Sequence, residues 1–498
     1  MNTNISQRIL VSVNNILSNS HPNLLILAIF FVLSFIGILQ HEIWLDEAQH
    51  FLIARDSKTL TELFHVCRFE GHPLLWNIIL FIITRFSSNP FWMQFMHIII
   101  SCITVAVILK CNITLVEKIL IIFGYYFLYE YNIISRNYGI SALIMILLVY
   151  FYIKNKVTLI KLALAIFVLA QTHLFSLLFS IAFVLTYIVH NRTSLLQQNK
   201  KILITAVLIV LAGWLISAYF IIPPRTYGVK FISYDSSGYF STERIVKTLS
   251  VGLKGIFYIP DYNAPDHHFI NSLYYLTLNL KVWVIYLLSI TAIIIPVIII
   301  KNNRFALVLF CSYLLIFTTV YFFLPLVYGI RYFGFFYVVF ICCYLIARPQ
   351  ISKIGLFLSI IIFSLQFANG IYAYSTDLRY PFSEARDVSY YLKKTRIKNE
   401  KVFILNATLR PAISAYTGEK YFGIENGQFL SFCHWDECLP DSVLKSKLND
   451  ALNTDNTSLV IANTPIQNLL DTAKLQRLAS FNHGIFKGEN AVVYRYRK

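Results

Sequence analysis

The chain has 498 residues, of which 57% are hydrophobic, 16% aromatic and only 13% charged, against roughly 25% charged in an ordinary soluble domain. A water-soluble globular enzyme is excluded. Eighteen glycines and 14 prolines, with no Gly-X-Y or heptad period and no biased tract, exclude fibrous and low-complexity classes as well. The formal charge of +17 is spread thinly: residues 374–498 hold 17 Lys+Arg and 13 Asp+Glu, and the first 373 residues hold 25 and 12. That excess suits membrane anchoring on anionic lipids. No aromatic-studded basic stripe accompanies it, so no nucleic-acid partner is expected.

Apolar stretches of about 20 residues, each long enough to cross the hydrocarbon core as a helix, recur from Pro22 to Ala373. They predict eleven spans, near 22–40, 90–109, 119–133, 135–153, 158–172, 174–190, 202–222, 281–300, 305–323, 326–347 and 354–373. Arg8 precedes the first and no small-residue cleavage site follows it, which predicts an anchor and a cytoplasmic N-terminus. From there Lys110 with Lys118, Lys154 with Lys156 and Lys161, Arg192 with Lys200 and Lys201, Lys301 with Arg304, and Arg348 with Lys353 all fall inside. Pro73 to Phe86 is too short to span and is expected to lie at the exported surface.

The resulting architecture is mostly α, a polytopic helical membrane domain over 1–375 with interfacial helices and a C-terminal soluble α/β domain over 376–498. Residues 41–89, 130–137, 223–280 and everything after Tyr374 face outward on this topology. Val402–Ala407 and Ser458–Ala462 read as buried strands, and Asp441–Leu452 and Pro465–Leu478 as amphipathic helices. Cys102, Cys111, Cys311, Cys342 and Cys343 lie in or beside spans as apolar filler. Cys433 and Cys438 flank a His-Trp-Asp-Glu run; a disulfide, free thiols, or a metal site with His434 are the three readings.

The first outward loop concentrates charge. His41 to Pro73 holds six of the chain's 25 acids, Glu42, Asp46, Glu47, Asp56, Glu62 and Glu70, and none then occurs between Tyr131 and Tyr234. Carboxylates at a membrane boundary are costly, which marks this cluster for function. Trp44, Leu45, Ala48, Phe51 and Leu52 recur at helical spacing, predicting an amphipathic helix in the interface plane. Asp46 and Glu47 occupy its first turn, where the positive helix end favours an ionised carboxylate. Simple helix capping is the competing explanation of the pair.

Arg136 in SRNYG and Arg331 in YGIRYFG stand at outward helix ends, against the positive-inside tendency. The planar fork of arginine suits an anionic ligand, so with Tyr138 they form a candidate phosphate site. Snorkelling or ion pairing is the alternative for each arginine. Arg225, Tyr227 and Lys230 begin the long loop and could share the task, and His50, Glu70, His72 and His173 line the same region.

WLDEAQ after the first span and EGHPLLW about 25 residues on resemble the integral-membrane glycosyltransferases of the GT-C fold. The similarity is greatest to the family 39-like branch of protein O-mannosyltransferases and the lipid A aminoarabinose transferase, whose outward Arg-x-Tyr element is similar to Arg136-x-Tyr138. The resemblance implies transfer of a sugar from a polyprenyl-phosphate donor to an acceptor hydroxyl on the exported side. Asp46 then corresponds to the catalytic or metal-associated aspartate and Glu47 to its partner contacting the acceptor. Many relatives have a second proline after His-Pro where this chain has Leu74, so the acceptor is left open among envelope glycan, lipid and protein.

The sequence requires no cofactor, while a divalent cation on Asp46, Glu47 and His72 is compatible with it. The expected setting is a bacterial plasma membrane, with membrane lipids as partners. A transporter or flippase of lipid-linked saccharides is the main rival, but no internal repeat is visible and the carboxylates cluster at one surface. A membrane scaffold presenting residues 376–498 is a weaker one, since that domain shows no obvious hot spot.

Overall fold

The computed structural model describes residues 21–222, 224, 242–258, 282–323, 330–397, 400–423, 426–434, 441–453, 457–463, 470 and 474–498. Its helices are α1 (His21–Gln40), α2 (Leu45–Asp56), α3 (Leu60–Cys67), α4 (Leu75–Phe86), α5 (Phe91–Leu109), α6 (Leu115–Ile122), α7 (Asn137–Ile153), α8 (Leu159–Ala170), α9 (Leu174–His190), α10 (Arg192–Leu196), α11 (Lys200–Ile221), α12 (Thr242–Leu249), α13 (Val251–Ile256), α14 (Val282–Ile300), α15 (Arg304–Phe323), α16 (Ile330–Ala347), α17 (Lys353–Arg379), α18 (Ala385–Thr395), α19 (Leu409–Thr417) and α20 (Asp441–Leu452). The strands are β1 (Lys401–Ile404), β2 (Tyr421–Gly423), β3 (Gln428–Leu430), β4 (Thr457–Ala462), β5 (Leu475–Phe481) and β6 (Ala491–Arg497).

Among the described residues seven helices are long and apolar enough to cross a membrane, and α7, α8 and α9 are shorter apolar helices at three further expected spans. Helix α11 shows why water is not the solvent of this bundle. Ile204, Leu208, Leu215 and Ile216 are all exposed on it, a continuous apolar face that only lipid covers without penalty. Helix α16 is the opposite case, buried from Phe333 to Ala347 at the centre of the bundle.

The expected span 119–133 is corrected. Helix α6 stops at Ile122, and after Gly124 the chain makes a π-helical turn over Tyr126–Glu130, closed by Tyr131 N–H donating to Tyr126 O at 2.8 Å. Close packing explains the break. A Cβ on Gly370 of α17 would stand 2.5 Å from Phe123 O and 2.9 Å from Tyr125 N, so the two backbones touch where the helix opens. The turn brings Tyr125, Tyr126, Tyr129 and Glu130 inward, all fully buried. Gly370→Ala is therefore expected to cost about 1–3 kcal/mol through overpacking, measurable as a lower melting temperature of the detergent-solubilised protein.

The C-terminal sheet has the order β3-β2-β1-β4-β6-β5, with β1 parallel to β2 and β4 and the remaining pairs antiparallel. Strand alternation divides its apolar residues between two faces. Phe403, Val460, Phe422 and Tyr496 pack on Leu448 and Leu452 of α20. Val402, Ile404, Leu459, Ile461 and Val493 share one core with Ala48, Phe51 and Leu52 of α2 and with Trp76 and Met93 nearer the bundle. The expected strands and the helix at Asp441–Leu452 match the fold. The helix expected over Pro465–Leu478 does not: Leu475 to Leu478 begin strand β5, held by pairing of Leu475 with Tyr496 and Gln476 with Arg495, and residues 465–469 lie outside the described residues.

The shared core also corrects the setting of α2. It does not lie in an interface with one polar face, because Glu47, Ala48, Gln49, His50, Phe51, Leu52, Ile53 and Ala54 are all buried. The helix is sandwiched between α4 and α19.

Candidate functional site

Helix α2 starts where α1 ends and the chain runs extended through Trp44. Two carboxylates take its first backbone donors. Glu47 Oε2 accepts from Trp44 N–H at 3.4 Å, and Glu489, from the turn before β6, accepts from Leu45 N–H at 2.7 Å. Exposed amides at a helix start are satisfied by such acceptors and favour negative charge nearby.

Asp46 projects from this first turn and keeps 21% of its side-chain surface exposed. Arg331 Nη1 stands 2.6 Å from its Oδ2, Arg136 Nη1 stands 3.9 Å away, and Arg136 also donates to the Asp46 backbone carbonyl. The Arg331 guanidinium lies over Trp44, 4.9 Å from the ring centroid, and over Tyr332 at 5.3 Å, while Arg136 lies over Tyr138 at 5.6 Å. Burial pushes the Asp46 carboxyl up, but Arg331, Arg136 and His72 outweigh it and hold the group below its ordinary value. It is a carboxylate at neutral pH.

A row of rings leads away from this pair. His50 to His72, His72 to His173 and His173 to Tyr138 have centroid separations of 5.4, 5.6 and 5.1 Å. Burial, reinforced by Arg136, pushes His72 down to about 4 and His50 well below the ordinary value, so both are neutral. Among the described residues, Arg136 Nε, Arg331 Nε and the Tyr138 hydroxyl find no hydrogen-bond partner although buried. Donors around a cationic centre have the chemistry to hold an anionic, oxygen-rich ligand.

Glu47 behaves differently from its neighbour. Its side chain is fully buried; Ser135 N–H donates to Oε1 at 2.6 Å and His41 Nε2 lies 3.0 Å from Oε2. On its other side His41 places Nδ1 2.8 Å from Asp377 at the end of α17. Burial pushes His41 down, but Asp377 and Glu47 together raise it to about 10, making it an imidazolium between two carboxylates. Glu47 thus anchors α1, α2, α17 and the Ser135 loop, and both of its carboxylate oxygens have partners there.

Asp46, Arg136, Arg331, Tyr138, His50, His72 and His173 do come together. Glu70 instead accepts from Gln49 Nε2 at 2.9 Å, and Gln49 exchanges two 2.8 Å hydrogen bonds with the backbone of Cys433, tying the C-terminal domain to α2. Among the described residues no three His, Cys, Asp or Glu side chains converge as metal ligands, so Asp46, Glu47 and His72 do not assemble as a set. Arg225, Tyr227 and Lys230 lie outside the described residues, as does Cys438 and with it the Cys433–Cys438 pairing. His41, Asp377 and Glu489 were not expected, because nothing local marks them: the partners of His41 and Leu45 are 336 and 444 positions away.

No family model and no curated protein matches the sequence. Among solved structures the chain is similar to ArnT from Cupriavidus metallidurans bound to undecaprenyl phosphate, with a TM-score of 0.52 at 9% identity, over 96% of this chain and 98% of that one. The apo state of the same ArnT gives a TM-score of 0.44 at 11% identity, over 95% and 97% of the two chains. At such identity the likeness is one of fold, and it extends along nearly the whole of both chains. The protein has the polytopic membrane fold of ArnT.

Proposed function

We propose that this protein is a membrane glycosyltransferase that moves a sugar from a polyprenyl-phosphate donor to an acceptor hydroxyl on the exported side of a bacterial plasma membrane. The observation that carries the reading is the ionised Asp46 held against Arg331 and Arg136 at the head of α2. The fold likeness to an ArnT whose structure contains undecaprenyl phosphate supports it.

The chemistry follows from the charges. The donor phosphate replaces Asp46 as the partner of Arg331 and Arg136, which releases the carboxylate toward the acceptor. Asp46 takes the proton of the acceptor hydroxyl as its oxygen bonds to the anomeric carbon. The bond from that carbon to the phosphate oxygen breaks, and its electron pair leaves with the polyprenyl phosphate, where the two guanidiniums stabilise it. Positioning and charge stabilisation supply the rest of the acceleration. An envelope glycan, lipid or protein hydroxyl serves as acceptor.

The direct test is release of polyprenyl phosphate, with sugar transferred, by the purified protein in nanodiscs given a labelled polyprenyl-phosphate sugar and envelope extract. Arg331→Ala and Arg136→Ala each remove a charge-assisted contact worth about 1.5–3 kcal/mol, so each should raise the donor KM by roughly tenfold or more. Unchanged KM in both variants would place the phosphate elsewhere.

A further inference from the structure

The C-terminal domain reaches the site through one short turn. Phe486 packs on Trp44 with ring centroids 5.0 Å apart, and the Arg331 guanidinium also lies over Trp44. Three residues on, Glu489 is fully buried, its Oε1 taking Leu45 N–H at 2.7 Å and its Oε2 the Ser383 hydroxyl at 2.5 Å. Between them, Gly488 O accepts from Asn406 Nδ2 at 2.9 Å, Thr408 Oγ1 at 2.8 Å and Asn463 Nδ2 at 2.9 Å. Asn406 and Asn463 follow the carboxyl ends of the parallel strands β1 and β4. The chain passes from β1 to β2 on one side and later to β4 on the other, which makes this the switch point where open α/β sheets place their ligands. Here the crevice grips a backbone carbonyl of the same chain. Gly488 fits that grip tightly, since a Cβ would stand 2.8 Å from the Phe486 ring.

We infer that Glu489 is a positioning residue of the transfer reaction: the strand ends fix the turn, and the turn fixes the start of α2 and hence Asp46. The inference rests on the glycosyltransferase reading for its kinetic arm alone. Burial lifts the Glu489 carboxyl to about 8, against the Ser383 and Leu45 hydrogen bonds and with Asp46 and Glu47 adding to it. A neutral amide therefore reproduces its contacts, one acceptor for Leu45 and one group for Ser383.

The test compares Glu489→Ala and Glu489→Gln in the full chain in nanodiscs by hydrogen exchange and steady-state kinetics. Glu489→Ala should speed exchange at Leu45–Ala48 and lower kcat by roughly 10- to 100-fold, the cost of misplacing a reacting group by about 1 Å. Its donor KM should stay within about twofold, because Arg136 and Arg331 stand on other elements; Glu489→Gln should match the wild type in both measurements. Ser383→Ala, which frees the other carboxylate oxygen, should shift exchange the same way and serves if Glu489→Ala does not fold. Wild-type exchange at Leu45–Ala48 in Glu489→Ala, or equal kinetic loss in the alanine and glutamine variants, overturns the inference. Faster exchange in a protein whose wild type transfers no sugar would leave the positioning role standing and remove the proposed reaction.

Discussion

Asp46→Asn is expected to lower sugar transfer by roughly 10²- to 10⁴-fold, the usual contribution of a positioned base. The substitution is isosteric, so the protein should still fold, with a melting temperature lowered by loss of the Arg331 ion pair. Its kinetic signature differs from that of the arginine variants. Asparagine no longer competes with the donor phosphate for Arg331, 2.6 Å away in the wild type, so the donor KM should fall or stay level while kcat collapses. The pH dependence carries the same logic. A carboxyl held below its ordinary value stays ionised as pH falls, so the acidic limb of kcat/KM, which reports the free enzyme, should lie below the ordinary carboxylate range. In kcat the limb should move upward, because the bound phosphate has taken the arginines. Near-normal turnover of Asp46→Asn would remove Asp46 from the mechanism.

His41→Ala should produce the largest loss of stability. It leaves the Glu47 and Asp377 carboxylates, 3.0 and 2.8 Å from the imidazole on its two sides, without the cation between them. Removing one member of a buried charged cluster costs about 3–5 kcal/mol. The sign with pH is fixed by the raised value of about 10 against an ordinary 6.5. A folded-state value above the unfolded one gives stability that is complete below the unfolded value and fades as pH climbs through the folded one. The wild-type melting temperature should therefore decline from neutral pH toward 10, and the alanine variant should lack that component. Equal melting of the two proteins at pH 7 would show that the imidazolium bridge contributes nothing.

The parts of the fold visible in the sequence were those written in local pattern. Apolar runs marked ten of the membrane helices, short apolar runs marked β1 and β4, and a period-3.6 pattern marked α20. The broken segment after Ile122 was not visible, because its cause is the absent side chain of Gly370 on a helix almost 250 positions later. Helix α2 was visible as a helix but not as a buried one. Its apolar residues satisfy an interface as well as a core, and only the sheet face carrying Val402, Ile404 and Leu459 decides between them. The site divides in the same way. Asp46 and Arg136-x-Tyr138 stand in short motifs, and Arg331 drew notice by defying the charge rule, whereas Glu489, Asp377 and His41 act through partners that only the folded chain supplies.

The core that joins α2 to the sheet has a consequence for how the protein is made. Ala491 and Val493, which leave the ribosome more than four hundred residues after Ala48 and Phe51, line the same apolar interior as those two. During synthesis the newborn amino-terminal loop must wait, its oily residues unsheltered, for more than four hundred residues to follow. A ribosome that stops short of β6 thus releases a chain whose α2 lacks part of its packing, offering proteases a handle far along the sequence from the error.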